Sequence, residues 1–294
     1  MRLRSLLFIP ADSEKKLHKG DDVAADALIL DLEDAVVAAN KPAARSLALC
    51  YLQARQQNRR SQLWVRINPV DTPEAVIDLE SVMAGRPDGI VQPKTRSVDD
   101  VIELGERLHR LETELDIEPG STRILPLATE TPQAMFTLGQ FSRCDQRLAA
   151  LTWGAEDLRA ALGASANKDG DGNWTFPYQV ARAFCLFGAS AAGVPAIDTI
   201  HADFRDADSL HSSCIAARRD GFSGKLAIHP NQVEVINEVF MPDAGEIAHA
   251  QRIIAAFAAH PDAGAVGLDG QMLDIPHLKL ARKILTMAGM DPGE

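Results

Sequence analysis

Eight short apolar runs, nearly every one ending in a polar or charged cluster, limit what this chain can fold into more than any other feature. They cover residues 5–9 before Pro10, 27–32 before Glu33-Asp34, 63–67 around Arg66, and 89–91 before Gln92-Pro93-Lys94. The series continues with 124–128 before Glu130, 148–153 before Glu156-Asp157, 194–197 before Asp198, and 225–228 before His229-Pro230. Between them lie stretches with helical spacing, such as 98–115, apolar at Val98, Val101, Ile102, Leu104, Leu108, Leu111 and Leu115, and 133–141. Near-continuous apolar strands alternating with helices predict a parallel sheet covered on both faces.

At about 150 residues per domain the 294 residues suggest two domains, yet an α/β barrel uses roughly 250 as one. An open dinucleotide-binding sheet needs a Gly-x-Gly-x-x-Gly turn after its first strand, and the turn here reads Pro10-Ala11-Asp12-Ser13. The expectation is therefore a (β/α)8 TIM barrel over residues 1–235, with its active site at the C-terminal ends of the strands. A C-terminal lid and inter-subunit segment is expected over 236–294, beginning in a polar helix at 231–240. A helix at 244–259, a Gly-rich loop at 263–270 and a last helix at 272–287 complete it.

With 30 Lys+Arg against 41 Asp+Glu, the net charge is -11. A polyanion or an anionic leaflet would repel the summed field of such a chain, which argues against nucleic acid and membrane surface as partners. Cys50, Cys144, Cys185 and Cys214 are scattered, without a Cys-x-x-Cys pair, and read as reduced thiols of a cytoplasmic protein. The first apolar run stops at Pro10, too soon for an export signal. The longest uncharged stretch, 183–197, is broken by Gly188, Gly193 and Pro195, and falls short of the roughly 20 residues that span a bilayer.

Glu130 and Asp157 follow consecutive strands, so their backbones are expected about 5 Å apart, close enough to share one hard cation. Two carboxylates completed by water and substrate oxygens is how Mg²⁺ is usually held. N-capping of the following helices is the alternative, and it suits Asp157. Arg66 alternates with Val65 and Ile67 and points into the barrel, where an unpaired charge is costly. Its forked donors suit a substrate carboxylate or enolate, unless it forms a structural ion pair with Glu33 or Asp34. Glu33 and Asp34 are assigned to orienting metal-bound water or Arg66, with helix capping an equal rival. Lys94 and Glu156 are assigned to substrate binding, although Lys94 could simply pair with Glu33 or Glu130. The eight histidines form no zinc array, His229 reads as structural, and residues 167–173 lack the Gly and Glu of a calcium loop. Neither a Gly-x-Ser-x-Gly elbow nor a P-loop occurs, which removes serine hydrolase and NTPase readings.

Leu6-Leu7-Phe8-Ile9-Pro10, the run LILDLEDAV at 28–36, Val65-Arg66-Ile67-Asn68 and Glu130-Thr131 are joined by Gly154-Ala155-Glu156-Asp157-Leu158, Ala227-Ile228-His229-Pro230-Asn231-Gln232 and Asp269-Gly270-Gln271-Met272-Leu273-Asp274. In that order, over residues 3–285, they resemble the citrate lyase β-subunit-like family of the HpcH/HpaI aldolase superfamily. The resemblance implies a (β/α)8 barrel, Mg²⁺, and carbon–carbon cleavage or formation on a β-hydroxyacyl-CoA thioester such as citryl-, malyl- or citramalyl-CoA. It makes Glu130 and Asp157 the metal ligands and Arg66 the arginine beside the substrate carbonyl. Asp274 becomes the acid that a neighbouring subunit brings over the site, so the resemblance also implies a homo-oligomer, a trimer or a pair of trimers. Ala11-Asp12-Ser13-Glu14, Phe184 and Gln271 stand where the family often carries glycine and basic residues, arginine and lysine. Two further readings accordingly stand beside the CoA-ester lyase: a lyase on a free hydroxy or 2-oxo acid, and a β subunit active only within a citrate lyase complex.

Overall fold

The computed structural model describes residues 2–144 and 146–291. They form two compact units, Leu3–Asn237 and the chain from Glu238 onward.

In the first unit, β1 (Ser5–Pro10), α1 (Glu14–Gly20), β2 (Ala27–Asp31), α2 (Lys41–Ala54), β3 (Gln62–Arg66) and α3 (Pro73–Val82) alternate regularly. They are followed by β4 (Gly89–Gln92), α4 (Val98–Glu114), β5 (Arg123–Pro126), β6 (Leu151–Thr152), α5 (Ala155–Leu162) and α6 (Phe176–Ala191). β7 (Ala196–Asp198), α7 (Ala207–Asp220), β8 (Gly224–Ala227) and α8 (Asn231–Val239) complete the series. The eight strands are parallel, in the order β5-β4-β3-β2-β1-β8-β7-β6. Two isolated parallel bridges, Ile124↔Leu148 and Leu127↔Thr152, join the outermost strands and close the cylinder. This is the (β/α)8 barrel that the eight runs predict.

Inside the barrel, Leu6, Ile29, Trp64, Val91, Leu125, Ile197 and Leu226 pack as one cluster. Trp64 is fully buried there because Gly89 on the next strand leaves room: a Cβ at Gly89 would lie 2.3 Å from the indole ring. Side chains on one face of a strand recur every second residue. Asp31 and Arg66, two beyond Ile29 and Trp64, therefore continue the inner face toward the C-terminal mouth.

Three expectations need correction. The run 148–153 yields only the two-residue β6, and Leu148 contributes no more than a bridge. The helix expected at 133–141 is instead two 3₁₀ segments, Ala134–Phe136 and Leu138–Arg143, because the Thr137 backbone between them (φ -124°, ψ -4°) leaves the α region. The Gly-rich loop in the tail is a β-hairpin, β9 (Ala265–Leu268) with β10 (Gln271–Asp274), so the last helix starts at Ile275 rather than 272. Asp269 and Gly270 between its strands both have positive φ, the signature of a tight hairpin turn.

In the second unit, α9 (Ala244–Ala258) and α10 (Ile275–Ala288) enclose a core with the hairpin: Ala250, Ile253, Phe257, Val266, Leu273, Ala281 and Leu285. Cys50 is exposed, Cys144 half-buried, and Cys185 and Cys214 are buried. Among the described residues, no helix is long and apolar enough to cross a membrane.

Candidate active site

Strand register places the first pair of functional groups. Asp31 and Arg66 are direct partners on β2 and β3, so their side chains stand side by side. The guanidinium closes a fork on the Asp31 carboxylate, with Nε to Oδ1 at 2.8 Å and Nη2 to Oδ2 at 2.6 Å. Its third nitrogen, Nη1, lies 3.0 Å from Glu33 Oε2, and its plane sits over the Phe8 ring at 4.7 Å. Burial opposes the charge of Arg66, but Asp31 and then Glu33 outweigh it and raise its pKa. Two of its five N–H donors are committed in hydrogen bonds, both to Asp31, and the Nη1 contact with Glu33 is an ion pair, so donors remain for another acceptor.

Lys94 ties the next two acids together from an unusual backbone. At φ +50° it occupies the left-handed region, where a residue with a Cβ is uncommon. That turn aims its N–H at Glu130 Oε2, 2.6 Å away. Its ammonium meanwhile donates to Glu33 Oε1, to Asp34 Oδ2 at 2.9 Å, and approaches Asp157 Oδ1 at 3.5 Å. Burial acts to neutralise Lys94, yet its bonds to Glu33 and Asp34 prevail and hold it protonated.

Glu130 is buried, 4% exposed. Burial first, and then the charge of Asp157, push its carboxyl well above the usual range. Burial raises Glu33 likewise, against the pull of Arg66 and Lys94. Gly154 forms part of the wall: a Cβ there would fall 2.6 Å from Glu130 Cγ and 2.7 Å from Oε1. Asp31, Glu33, Asp34, Glu130 and Asp157 set five carboxylates against the two cations Arg66 and Lys94.

This donor set fits a divalent cation. The charge of Asp157 raises the cost of charging Glu130, and a cation lying between the two carboxylates reverses the sign of that effect. Among the described residues no three His, Cys, Asp or Glu converge on a metal position by themselves. A pair of carboxylates leaves the remaining ligands to water and substrate, the arrangement usual for Mg²⁺.

A family description reading "HpcH/HpaI aldolase/citrate lyase" matches residues 4–230. The chain belongs to the HpcH/HpaI aldolase/citrate lyase family. Within this family it is 32% identical to the citrate lyase subunit beta of Escherichia coli strain K12, over 97% of this chain and 93% of the relative. It is 33% identical to the mitochondrial citramalyl-CoA lyase of Mus musculus, over 97% and 86%. A crystal structure of CitE from Mycobacterium tuberculosis, in complex with magnesium, acetoacetate and coenzyme A, superposes with a TM-score of 0.77 at 32% identity. The superposition covers 97% of this chain and 98% of that one.

The HpcH/HpaI barrel of this chain brings Arg66, Glu33, Asp34, Lys94, Glu130 and Asp157 together. Asp34 pairs with Lys94, however, and the partner of the Arg66 fork is Asp31, which sequence reasoning passed over. Lys94 serves as an internal counter-ion to Glu33 and Asp34 as well as facing Asp157. Glu156 accepts from Asn167 Nδ2 at 2.8 Å and turns away from the cluster, since adjacent residues of a helix point about 100° apart. His229 stacks on Phe204 at 4.7 Å and accepts from the Asn231 N–H. Asp274 ends β10 in the second unit, before α10, with His277 Nδ1 2.6 Å from its Oδ1.

Proposed function

We propose that this chain is a Mg²⁺-dependent carbon–carbon lyase that cleaves or forms a β-hydroxyacyl-CoA thioester of the citryl, malyl or citramalyl type. The observation that carries this is the Glu130–Asp157 pair at the barrel mouth, opposed by an Arg66 guanidinium with unused donors. The substrate class follows the names of the relatives, which include citramalyl-CoA lyase and (3S)-malyl-CoA thioesterase.

Glu130 and Asp157 would hold the metal, which supplies Lewis acidity toward the carboxylate and hydroxyl oxygens of a small acid. Asp31 holds Arg66 in one orientation, so its free N–H edge meets the enolate oxygen that gains charge as the carbon–carbon bond breaks. Glu33 fixes Lys94 and the far edge of Arg66, while Asp34 shares the ammonium. Asp274 of a neighbouring chain would exchange the proton with the enolate carbon. A homotrimer or hexamer in the cytoplasm belongs to the same reading.

Calorimetry with Mg²⁺, followed by turnover of citryl-, malyl- and citramalyl-CoA and the corresponding free acids, tests it. Wild type is expected to bind Mg²⁺ and cleave a CoA thioester alone, while Glu130→Gln and Asp157→Asn fold but lose both properties. Full metal affinity and activity in either variant refutes the ligand assignment. Turnover confined to free acids replaces the substrate class, and turnover only with added citrate lyase subunits makes the chain a dependent β subunit.

A further inference from the structure

We propose that Asp198 is a positioning residue for the Glu130–Asp157 pair, acting through the indole of Trp153. The inference rests on the reading that this pair holds a divalent cation.

Asp198 is the last residue of β7, and the preceding Ile197 packs inside the barrel, so Asp198 faces the helical layer. Only 2% exposed, it accepts from three donors, one on β8, one on α6 and one on the residue after β6. Lys225 Nζ on β8 lies 2.7 Å from Oδ2, Arg182 Nε on α6 lies 3.2 Å from Oδ1, and Trp153 Nε1 donates to Oδ1 at 2.8 Å. Burial opposes its charge, yet Lys225 and Arg182 prevail and pull the carboxyl below its usual range. Asp220 accepts from the outer edge of Arg182 at 2.6 Å, which fixes that side chain in turn. Two cations already compensate the buried carboxylate. The indole is thus the neutral partner, and its bond orients Trp153 rather than balancing charge.

What Trp153 carries explains the need for an anchor. It directly follows β6, which has two residues and two partners on β7, and which meets β5 only through isolated bridges. Backbone pairing therefore holds this stretch weakly. The next residue is Gly154, whose missing Cβ leaves the space occupied by the Glu130 carboxylate. α5 begins one residue later and bears Asp157 in its first turn. Trp153 is fully buried, with its ring edge-on to Trp174 at a centroid distance of 5.0 Å. A bond from its indole to a rigid carboxylate on β7 sets where Gly154 and the start of α5 sit, and hence the spacing of the two acids.

Trp153→Phe removes the N–H donor, retains an aromatic ring, and leaves Asp198 with Lys225 and Arg182. Mg²⁺ affinity of the apo chain is measured by calorimetry, with the thermal midpoint and the kcat-against-KM split read in parallel. Groups that orient metal ligands typically change affinity by about 10- to 100-fold, and a loss of about tenfold is expected with the thermal midpoint little changed. Asp198→Asn keeps an acceptor for the indole but unbalances the two cations, so it is expected to lower the midpoint more than Trp153→Phe does. Wild-type metal affinity and kinetics in Trp153→Phe overturn the inference, as does an affinity loss matched by a fall in stability. A wild-type chain without Mg²⁺ affinity overturns the metal reading and this inference with it.

Discussion

Replacing Gly154 by alanine adds one methyl group directly against the Glu130 side chain. The new carbon would stand 2.6 Å from Glu130 Cγ and 2.7 Å from Oε1, whereas two carbons rest at about 3.5–4.0 Å. The carboxylate must therefore retreat by about 1 Å, or the Gly154 backbone must shift and take the start of α5 with it. Retreat is resisted, because Glu130 is buried and the Lys94 N–H grips its Oε2 at 2.6 Å. Either response changes the distance between Glu130 and Asp157. A displacement near 1 Å costs on the order of 100-fold in rate, or about 2.7 kcal/mol, while overpacking costs about 1–3 kcal/mol of stability. Gly139→Ala is the control, since nothing lies within 4 Å of its Cβ position. Calorimetric Mg²⁺ titration and kcat/KM on the thioester that wild type cleaves are the assays. Gly154→Ala with metal affinity and kcat/KM equal to those of Gly139→Ala would refute the reasoning.

Arg66→Lys keeps a charge but cannot fork onto Asp31 and still reach a substrate oxygen, so kcat should fall at least about tenfold, roughly 1.4 kcal/mol. Unchanged kinetics with a lower thermal midpoint would make Arg66 a structural ion pair. Glu112, fully buried, accepts from Arg147 at 2.8 and 2.6 Å and from the Gly120 and Thr122 N–H groups. Burial opposes its charge, but Arg147 and those N–H groups pull its carboxyl down to about 2 from 4.5. A carboxyl lowered on folding stabilises in full above its unfolded value and loses that contribution as pH falls through its folded one. Glu112→Gln should thus cost about 2–3 kcal/mol at pH 7, with the deficit shrinking between about pH 4.5 and 2; an equal deficit by denaturant titration at pH 7 and pH 3 contradicts this. Asp274→Ala mixed with Glu130→Gln under subunit exchange should recover activity, and no recovery despite proven exchange would return Asp274 to a helix-capping role.

The barrel was legible because each strand wears its burial openly, and Arg66 could be placed because Val65 and Ile67 flank it on the opposite face. Asp31 was overlooked although it shares the inner face, since only the register with β3 reveals that it meets Arg66 directly. The tail hairpin carried a signal in Asp269-Gly270, but four-residue strands with mixed exposure hide their alternation. The 133–141 segment has helical spacing of apolar residues and still breaks at Thr137, a backbone choice that periodicity does not report. Trp153 and Asp198 lie 45 residues apart, and no local pattern links an indole to a carboxylate at that range.

The seam between β5 and β6 is the thinnest part of the barrel wall. Its backbone bonds include Ile124 N–H to the Arg147 carbonyl, Ala149 N–H to the Ile124 carbonyl and Ala128 N–H to the Thr152 carbonyl. β1 and β2, by contrast, align over five consecutive residue pairs. Native proteins open first where backbone pairing is sparse, and amide hydrogens there exchange with solvent soonest. Glu130 follows one lip of this seam and Asp157 the other. A cation shared between them would therefore stitch the cylinder shut, so that metal affinity and slow amide exchange across the seam become two readings of one free energy.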